Sequence, residues 1–64
     1  MNYHELTKIA KKIGWYELRK GKGSHTIWTN DTNKEILPIP NHGTKELRVG
    51  LCKNLLKKIK EIEN

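Results

Sequence analysis

The residues best suited to chemistry in this chain are three histidines, because an imidazole can accept or donate a proton near neutral pH. His4 falls in the predicted first turn of a helix, where a surface position is the simplest interpretation. His25 follows Gly23 and Ser24 at the predicted start of a strand, which places an imidazole at the rim of a sheet. His42 lies in a predicted loop. Position alone leaves a purely local packing role open for both His25 and His42.

Basic side chains precede His25 in the sequence. Arg19, Lys20 and Lys22 are candidates for stabilising negative charge on a phosphate near that imidazole. The 64 residues carry 13 Lys and Arg against 7 Asp and Glu, a net charge of +6. So dense a positive field in a small domain is typical of proteins that bind phosphate polymers. A generic basic surface kept for solubility is the alternative interpretation.

The sequence argues against metal and nucleotide chemistry. It has a single cysteine, Cys52, and no HxxxH, CxxC or carboxylate cluster at ligand spacing, so neither a metal nor another cofactor is expected. The glycines of segment 21–23 join two predicted strands rather than opening a helix, which excludes the common nucleotide-binding loops. One cysteine and no disulfide framework favour a reducing, cytoplasmic location. No apolar run approaches the roughly 20 residues of a membrane span.

Helical and strand patterns supply the elements that must position these residues. A first helix is predicted between Asn2, a good N-cap with Glu5 three residues later, and a stop at Gly14. Strands are predicted over 15–20, 24–29 and 34–39, joined by turns at 21–23 and 30–33. Pro38 cannot donate to a ladder, so the third strand is expected to be an edge or to end nearby. A second amphipathic helix is predicted from roughly Val49 to Glu61.

The predicted fold is therefore α+β, one domain over 1–64 with the order α-β-β-β-α. Its three-stranded antiparallel sheet carries both helices on one face, since neither apolar stripe can be buried alone. The other face is left open to solvent or to a partner. By alternation along the second strand, Trp28 lies opposite His25 and Ile27 and is expected in the core.

Short motifs in a fixed order carry a resemblance over nearly the whole chain. They are Ile13-Gly14-Trp15, Lys22-Gly23-Ser24-His25, Leu37-Pro38, Pro40-Asn41-His42-Gly43, Lys45-Glu46-Leu47-Arg48-Val49-Gly50 and Leu55-Leu56-Lys57-Lys58. Together they resemble the HicA toxin family of HicAB type II toxin–antitoxin systems. The resemblance implies a double-stranded-RNA-binding-domain-like fold, the same order that the patterns predict.

The resemblance also implies an activity and a partner. Members of the family are described as small ribonucleases that cut mRNA and stop translation, and their catalytic histidine falls on His25. We therefore expect a metal-independent endoribonuclease that uses a single catalytic histidine and arrests translation and growth, with RNA contacts from Arg19, Lys20, Lys22 and Ser24. A HicB-like antitoxin is expected to cover His25, and the free toxin is expected to be monomeric.

Two positions depart from the family pattern. Leu51 stands where the family often has a threonine, which is expected to cost the last helix an N-cap. Thr26 stands where a second histidine or an aromatic residue often follows the catalytic one, which is expected to change how the base or the scissile phosphate is held.

Two other classes of function remain open from the residues alone. One is a non-catalytic RNA- or DNA-binding module of the same fold, in which His25 is structural and the lysines bind phosphates. The other is an interaction domain for an acidic protein, which leaves the Gly-Ser-His element unexplained. A cleavage assay on His25→Ala separates the catalytic interpretation from these two.

Overall fold

A computed structural model describes residues 1–63 and shows the predicted order of elements. These are α1 (Tyr3–Ile13), β1 (Trp15–Lys20), β2 (His25–Asn30), β3 (Leu37–Pro40) and α2 (Val49–Lys60). The strands form one antiparallel sheet in the order β1-β2-β3. Both helices pack against the same face of this sheet, so the predicted fold class is confirmed. No helix within residues 1–63 combines the length and apolar character that a membrane crossing needs.

Helix α1 begins and ends at the predicted residues. Asn2 Oδ1 accepts from the backbone N–H of Glu5 at 3.0 Å, and Glu5 Oε1 accepts from the backbone N–H of Asn2 at 2.9 Å. This reciprocal capping box satisfies two donors that the first turn cannot pair internally. Gly14, at a φ of +123°, ends the helix and donates to the Ala10 carbonyl at 3.1 Å.

Helix α2 begins without a comparable cap. Its N-cap residue is Arg48, and among residues 1–63 no side chain caps its first turn. The helix thus lacks a side-chain cap, but the expectation that Leu51 is the cause was wrong. Leu51 is not itself the cap position, because the helix already begins at Val49.

The strand β3 starts three residues later than the sequence pattern predicts. The side chain of Asn30, only 1% exposed, accepts from the backbone N–H groups of Thr32 at 2.8 Å and Asn33 at 2.9 Å. Lys34 then adopts a φ of +60°, in the left-handed region that a strand does not use. This side-chain-held turn delays extended structure until Leu37, so the prediction of a strand over 34–36 was wrong.

A buried hydroxyl joins α1, β2 and β3. Thr26 Oγ1 donates to the Ile39 carbonyl at 3.0 Å and accepts from the Trp28 indole N–H at 2.8 Å. A hydroxyl has one proton and two lone pairs, so the Tyr3 hydroxyl, at 3.1 Å, is the remaining donor. Trp28 is 1% exposed and lies in the core, as predicted.

The same network corrects an expectation about Thr26. Its side chain is 2% exposed and all of its hydrogen bonds lie in the core, so it does not face a substrate. The expectation that Thr26 alters a phosphate contact was therefore wrong. Alternation along β2 places it on the helix side of the sheet, opposite to the open face.

A second indole ties the start of β1 to the end of α2. Trp15 Nε1 donates to the Ile59 carbonyl at 2.9 Å, and both residues are buried. Carbonyls in the last turn of a helix lack intrahelical partners, so this bond satisfies one of them. The covered face of the sheet is thus fixed to both helices, and the open face is free to carry a site.

The two prolines of β3 fit the sheet because of their register. Pro40 pairs with His25 and Pro38 pairs with Ile27. The next backbone donor, Asn41 N–H, bonds to the Ser24 carbonyl at 2.8 Å. Along β3 the backbone nitrogen points toward β2 at every second residue. Because the nitrogen of residue 41 points toward β2, the nitrogens of Pro38 and Pro40 point away from it. Neither proline removes a ladder bond, and β3 is an edge strand as expected.

Candidate active site

The backbone of His25 is fixed by the turn that joins β1 and β2. Its N–H donates to the Lys22 carbonyl at 3.0 Å, which closes a four-residue turn. Its carbonyl accepts from Gly21 N–H at 2.9 Å. Gly23, at the first central position, has a φ of +58°, which suits glycine and is the arrangement of a type II′ hairpin turn. The Gly-Ser-His element therefore places His25 as the first residue of β2.

The imidazole of His25 is exposed and makes one bond to the same turn. Its Nδ1 lies 3.3 Å from the Lys22 carbonyl. A carbonyl can only accept, so Nδ1 carries the proton in this bond. In the neutral ring Nε2 is then the unprotonated nitrogen, available to accept a proton from a bound molecule. The bond to the Lys22 carbonyl thus favours the tautomer that leaves Nε2 as the acceptor.

A bulge in β1 decides which basic side chain shares the open face with His25. The register shifts between Glu17 and Arg19, so that Arg19 pairs with Ile27 and Lys20 pairs with Thr26. Paired residues lie on the same face, and Ile27 is two residues from His25. Arg19 is therefore on the open face with His25.

The predicted RNA-binding residues are not all brought together. Lys22 and Ser24 are exposed in the turn itself, beside His25. Lys20, paired with buried Thr26, lies on the helix side, and its Nζ is 3.5 Å from Glu17 Oε2. The structure groups Arg19, Lys22 and Ser24 near His25 and directs Lys20 away from them.

A close approach between Gly21 and Ile27 holds the turn against the sheet. A Cβ added to Gly21 would lie 2.9 Å from Ile27 Cδ1 and 3.3 Å from the His25 carbonyl oxygen. Ile27 is 8% exposed although it lies on the open face. The sequence indicates Gly21 only as a turn residue, whereas the structure shows that it also packs on the face next to His25.

The loop after β3 reaches the same end of the sheet, which sequence reasoning missed. Asn41 N–H bonds to the Ser24 carbonyl, and Asn41 Oδ1 accepts from Gly43 N–H at 3.0 Å. His42, between them, is exposed. The predicted antiparallel order could have indicated this placement, because the end of the third strand lies beside the start of the second.

The arrangement is suited to proton transfer at a bound phosphodiester. It offers an exposed imidazole of defined tautomer and two cationic side chains, Arg19 and Lys22, around one hairpin turn. Within residues 1–63 no group of three histidine, cysteine or acidic side chains is placed to hold a metal ion. Cys52 is buried in α2 as a free thiol, away from the turn.

Comparison with known proteins gives one match. The family model described as "HicA toxin of bacterial toxin-antitoxin" matches residues 3–60. No curated protein and no solved structure matches the chain significantly. The match covers every element of the fold, from the first residue of α1 to the last residue of α2.

Proposed function

Since the chain belongs to the HicA toxin family of toxin–antitoxin systems, we propose that it is an endoribonuclease that cleaves mRNA through His25 without a metal ion. The observation that carries the proposal is the exposed His25 imidazole, whose Nδ1 is bonded to the Lys22 carbonyl so that Nε2 is left to accept a proton. The toxin role follows from the family. The ribonuclease chemistry is inferred from this geometry together with the family's general activity.

The reaction that fits this site uses the RNA's own 2′-hydroxyl as the nucleophile. His25 Nε2 accepts the 2′-hydroxyl proton while the 2′-oxygen forms a bond to the adjacent phosphorus. The bond from phosphorus to the 5′-oxygen of the next nucleotide then breaks, and that oxygen takes up a proton. The products are a 2′,3′-cyclic phosphate and a free 5′-hydroxyl, and no external water or oxidant is consumed.

The basic side chains of the open face would bind the phosphate and its transition state. Negative charge grows on the non-bridging oxygens as the 2′-oxygen attacks, and fixed cations stabilise it most when water is excluded. Arg19 and Lys22 are the residues placed for this, and the Ser24 hydroxyl is a further donor in the turn. Lys20 contributes through the general positive field, because its ammonium group is directed toward Glu17.

A toxin of this kind needs a dedicated inhibitor, and the family implies an antitoxin partner. We infer that a HicB-like protein covers His25 and places carboxylates against the basic turn. Complementary charge at such a contact speeds association and makes it sensitive to salt. Substrate and inhibitor would then compete for the same turn, in the cytoplasm where mRNA is translated.

The experiment that tests the proposal is cleavage of a defined RNA oligonucleotide by the purified chain in EDTA. His25→Ala should lower the cleavage rate by about 10²–10⁴-fold, the usual contribution of a positioned acid–base group. His4→Ala, which removes an exposed imidazole in the first turn of α1, is the matched control and should cleave at the wild-type rate. Mass spectrometry should find 2′,3′-cyclic phosphate ends.

Three results would contradict the proposal. Undiminished cleavage by folded His25→Ala would remove the catalytic role of that residue. Loss of activity in EDTA with recovery in Mg²⁺ would indicate a metal-dependent mechanism. Tight RNA binding by the wild type with no cleavage would favour the non-catalytic RNA-binding module.

A further inference from the structure

A second exposed imidazole lies at the end of the sheet that carries His25. Residue 40 pairs directly with His25, and the ladder continues past this pair through the 2.8 Å bond from Asn41 N–H to the Ser24 carbonyl. His42 is the next residue and is exposed. The antiparallel register, and not proximity in sequence, thus brings His25 and His42 to one place.

The register also gives their relative placement. β3 ends at Pro40, and the bond from Asn41 N–H to the Ser24 carbonyl holds the next residue beside the start of β2, so His42 lies in the loop next to the residue that precedes His25. Proton-transfer groups work at about 2.6–3.2 Å from the oxygen they serve, and an in-line phosphate has its attacking and leaving oxygens on opposite sides, so its cleavage can use one imidazole on each side.

The loop that carries His42 is ordered without using its imidazole. Asn41 Oδ1 accepts from Gly43 N–H at 3.0 Å, and the His42 carbonyl accepts from Lys45 N–H at 3.2 Å. Gly43 adopts a φ of +64°, which glycine tolerates without strain. Every one of these bonds survives truncation of the His42 side chain, so the imidazole is free for another role.

We propose that His42 is a second catalytic residue, the general acid that protonates the leaving 5′-oxygen. This inference rests on the proposed ribonuclease function and completes its proton balance. His25 Nε2 takes the proton of the 2′-hydroxyl, and His42 gives a proton to the 5′-oxygen as the phosphorus–oxygen bond breaks. Both imidazoles end in the opposite protonation state and return to the first by exchange with water.

His25 is assigned the base because its bond to the Lys22 carbonyl favours one tautomer. The Lys22 carbonyl holds the proton on Nδ1, which leaves Nε2 as an acceptor in the neutral ring. The third histidine, His4, belongs to α1 on the covered side of the sheet and is not a candidate acid. Arg19 and Lys22 offer cationic N–H donors, which suit binding the phosphate better than protonating a leaving group.

The test compares His42→Ala, His25→Ala and His4→Ala on two RNA oligonucleotides. One is the ordinary substrate, and the other carries sulfur in place of the scissile 5′-oxygen. A thiolate leaves without being protonated first, because thiols ionise near a pH of about 8.5. His42→Ala should cleave the ordinary RNA at least about 10²-fold more slowly and recover to within a few-fold of wild type on the sulfur substrate. His25→Ala should stay slow on both, and His4→Ala should match wild type on both.

The outcomes separate this inference from the proposed function. If wild type cleaves and His42→Ala cleaves the ordinary RNA as fast, His42 has no catalytic role. If His42→Ala is slow on both substrates, or if His25→Ala alone is rescued by sulfur, the assignment of His42 as the acid is wrong. If wild type leaves both RNAs intact, the proposed ribonuclease itself fails, and the inference fails with it.

Discussion

The two turns that connect the three strands are built in opposite ways. The site turn, residues 21–24, is closed by backbone bonds from Gly21 and His25, and its polar side chains point to solvent. The asparagine turn, residues 30–34, has one backbone bond, from Lys34 N–H to the Asn30 carbonyl at 3.2 Å, and is otherwise organised by the buried Asn30 side chain, whose Oδ1 accepts from two backbone N–H groups. The shape of the site turn is set by glycine and by backbone hydrogen bonds, whereas the shape of the asparagine turn depends on hydrogen bonds to a polar side chain.

This difference separates residues that can carry function from residues that hold structure. Where the backbone alone closes a turn, Lys22, Ser24 and His25 can be chosen for chemistry with little cost to folding. Where Asn30 closes a turn, its side chain is committed to that role. Substitutions of these three side chains should therefore change activity, whereas substitutions of Asn30, or of the glycine that shapes the site turn, should change stability.

The largest stability effect is expected from Asn30→Ala. Two backbone donors lose their acceptor, which should lower the free energy of unfolding by about 1–3 kcal/mol. Denaturant unfolding measures the loss, and cleavage per folded molecule should be unchanged. Asn54→Ala, an exposed site on α2, is the matched control and should have little effect. An Asn30→Ala chain as stable as wild type would show that the two turns do not differ in this way.

The next effect is expected from Gly23→Ala. A residue with a Cβ at a φ of +58° costs about 1–2 kcal/mol, so the chain should unfold at lower denaturant concentration. Gly50→Ala is a control of opposite sign, because Gly50 lies in α2 with open space where the alanine methyl group would stand. It should stabilise the chain by up to about 1 kcal/mol. Equal shifts of the same sign in both variants would contradict a backbone-encoded site turn.

A smaller effect is expected from charge reversal in binding the antitoxin. Lys22→Glu should slow association by a few-fold at low salt, since an inhibitor that covers His25 must approach this turn. Lys60→Glu, at the far end of α2, should leave the rate nearly unchanged. Association rates at two salt concentrations measure both. A response to Lys60 and not to Lys22 would place the inhibitor elsewhere.

The smallest effect is expected from Tyr16→Phe. The Tyr16 hydroxyl donates to Asp31 Oδ1 at 2.8 Å, and this hydrogen bond raises the pKa of Tyr16 above its usual 10.0. A raised pKa means that the bond contributes stability below pH 10 and loses it as the pH rises through the folded-state pKa. Wild type should melt slightly above Tyr16→Phe at neutral pH, and the difference should vanish in strong alkali. A difference that grew with pH would show that the bond is not the cause.

The sequence predicted those features that local signals determine. Asn2, Glu5 and Gly14 mark the ends of α1 by interactions within a few residues, and the structure has them as predicted. The start of β3 was predicted wrongly because hydrogen bonds to the Asn30 side chain extend the turn into residues whose sequence pattern is that of a strand. The periodicity of the sequence predicted that each helix and strand exists, whereas the first residue of β3 depends on the buried side-chain amide of Asn30.

The candidate site was predictable in its residues more than in its arrangement. Alternation sends the neighbours Arg19 and Lys20 to opposite faces, and the bulge at Leu18 decides that Arg19 is the one on the open face with His25. A bulge cannot be read from composition, because it depends on which cross-strand pairs pack best. His42 was likewise placed beside the turn by the register of β3, a long-range property of the sheet.

The two prolines of β3, whose backbone nitrogens lie on the outer edge of the sheet, affect how the free chain associates with other copies of itself. An exposed strand edge templates fibril-like growth only if an incoming strand finds both donors and acceptors along it. At positions 38 and 40 this edge presents carbonyls with no amide hydrogens, so an added strand would gain half a ladder. The opposite edge, β1, is interrupted by its bulge. Strand addition, and with it polymerisation, is thus disfavoured at both edges of the sheet. A partner is instead expected to bind side chains on the open face.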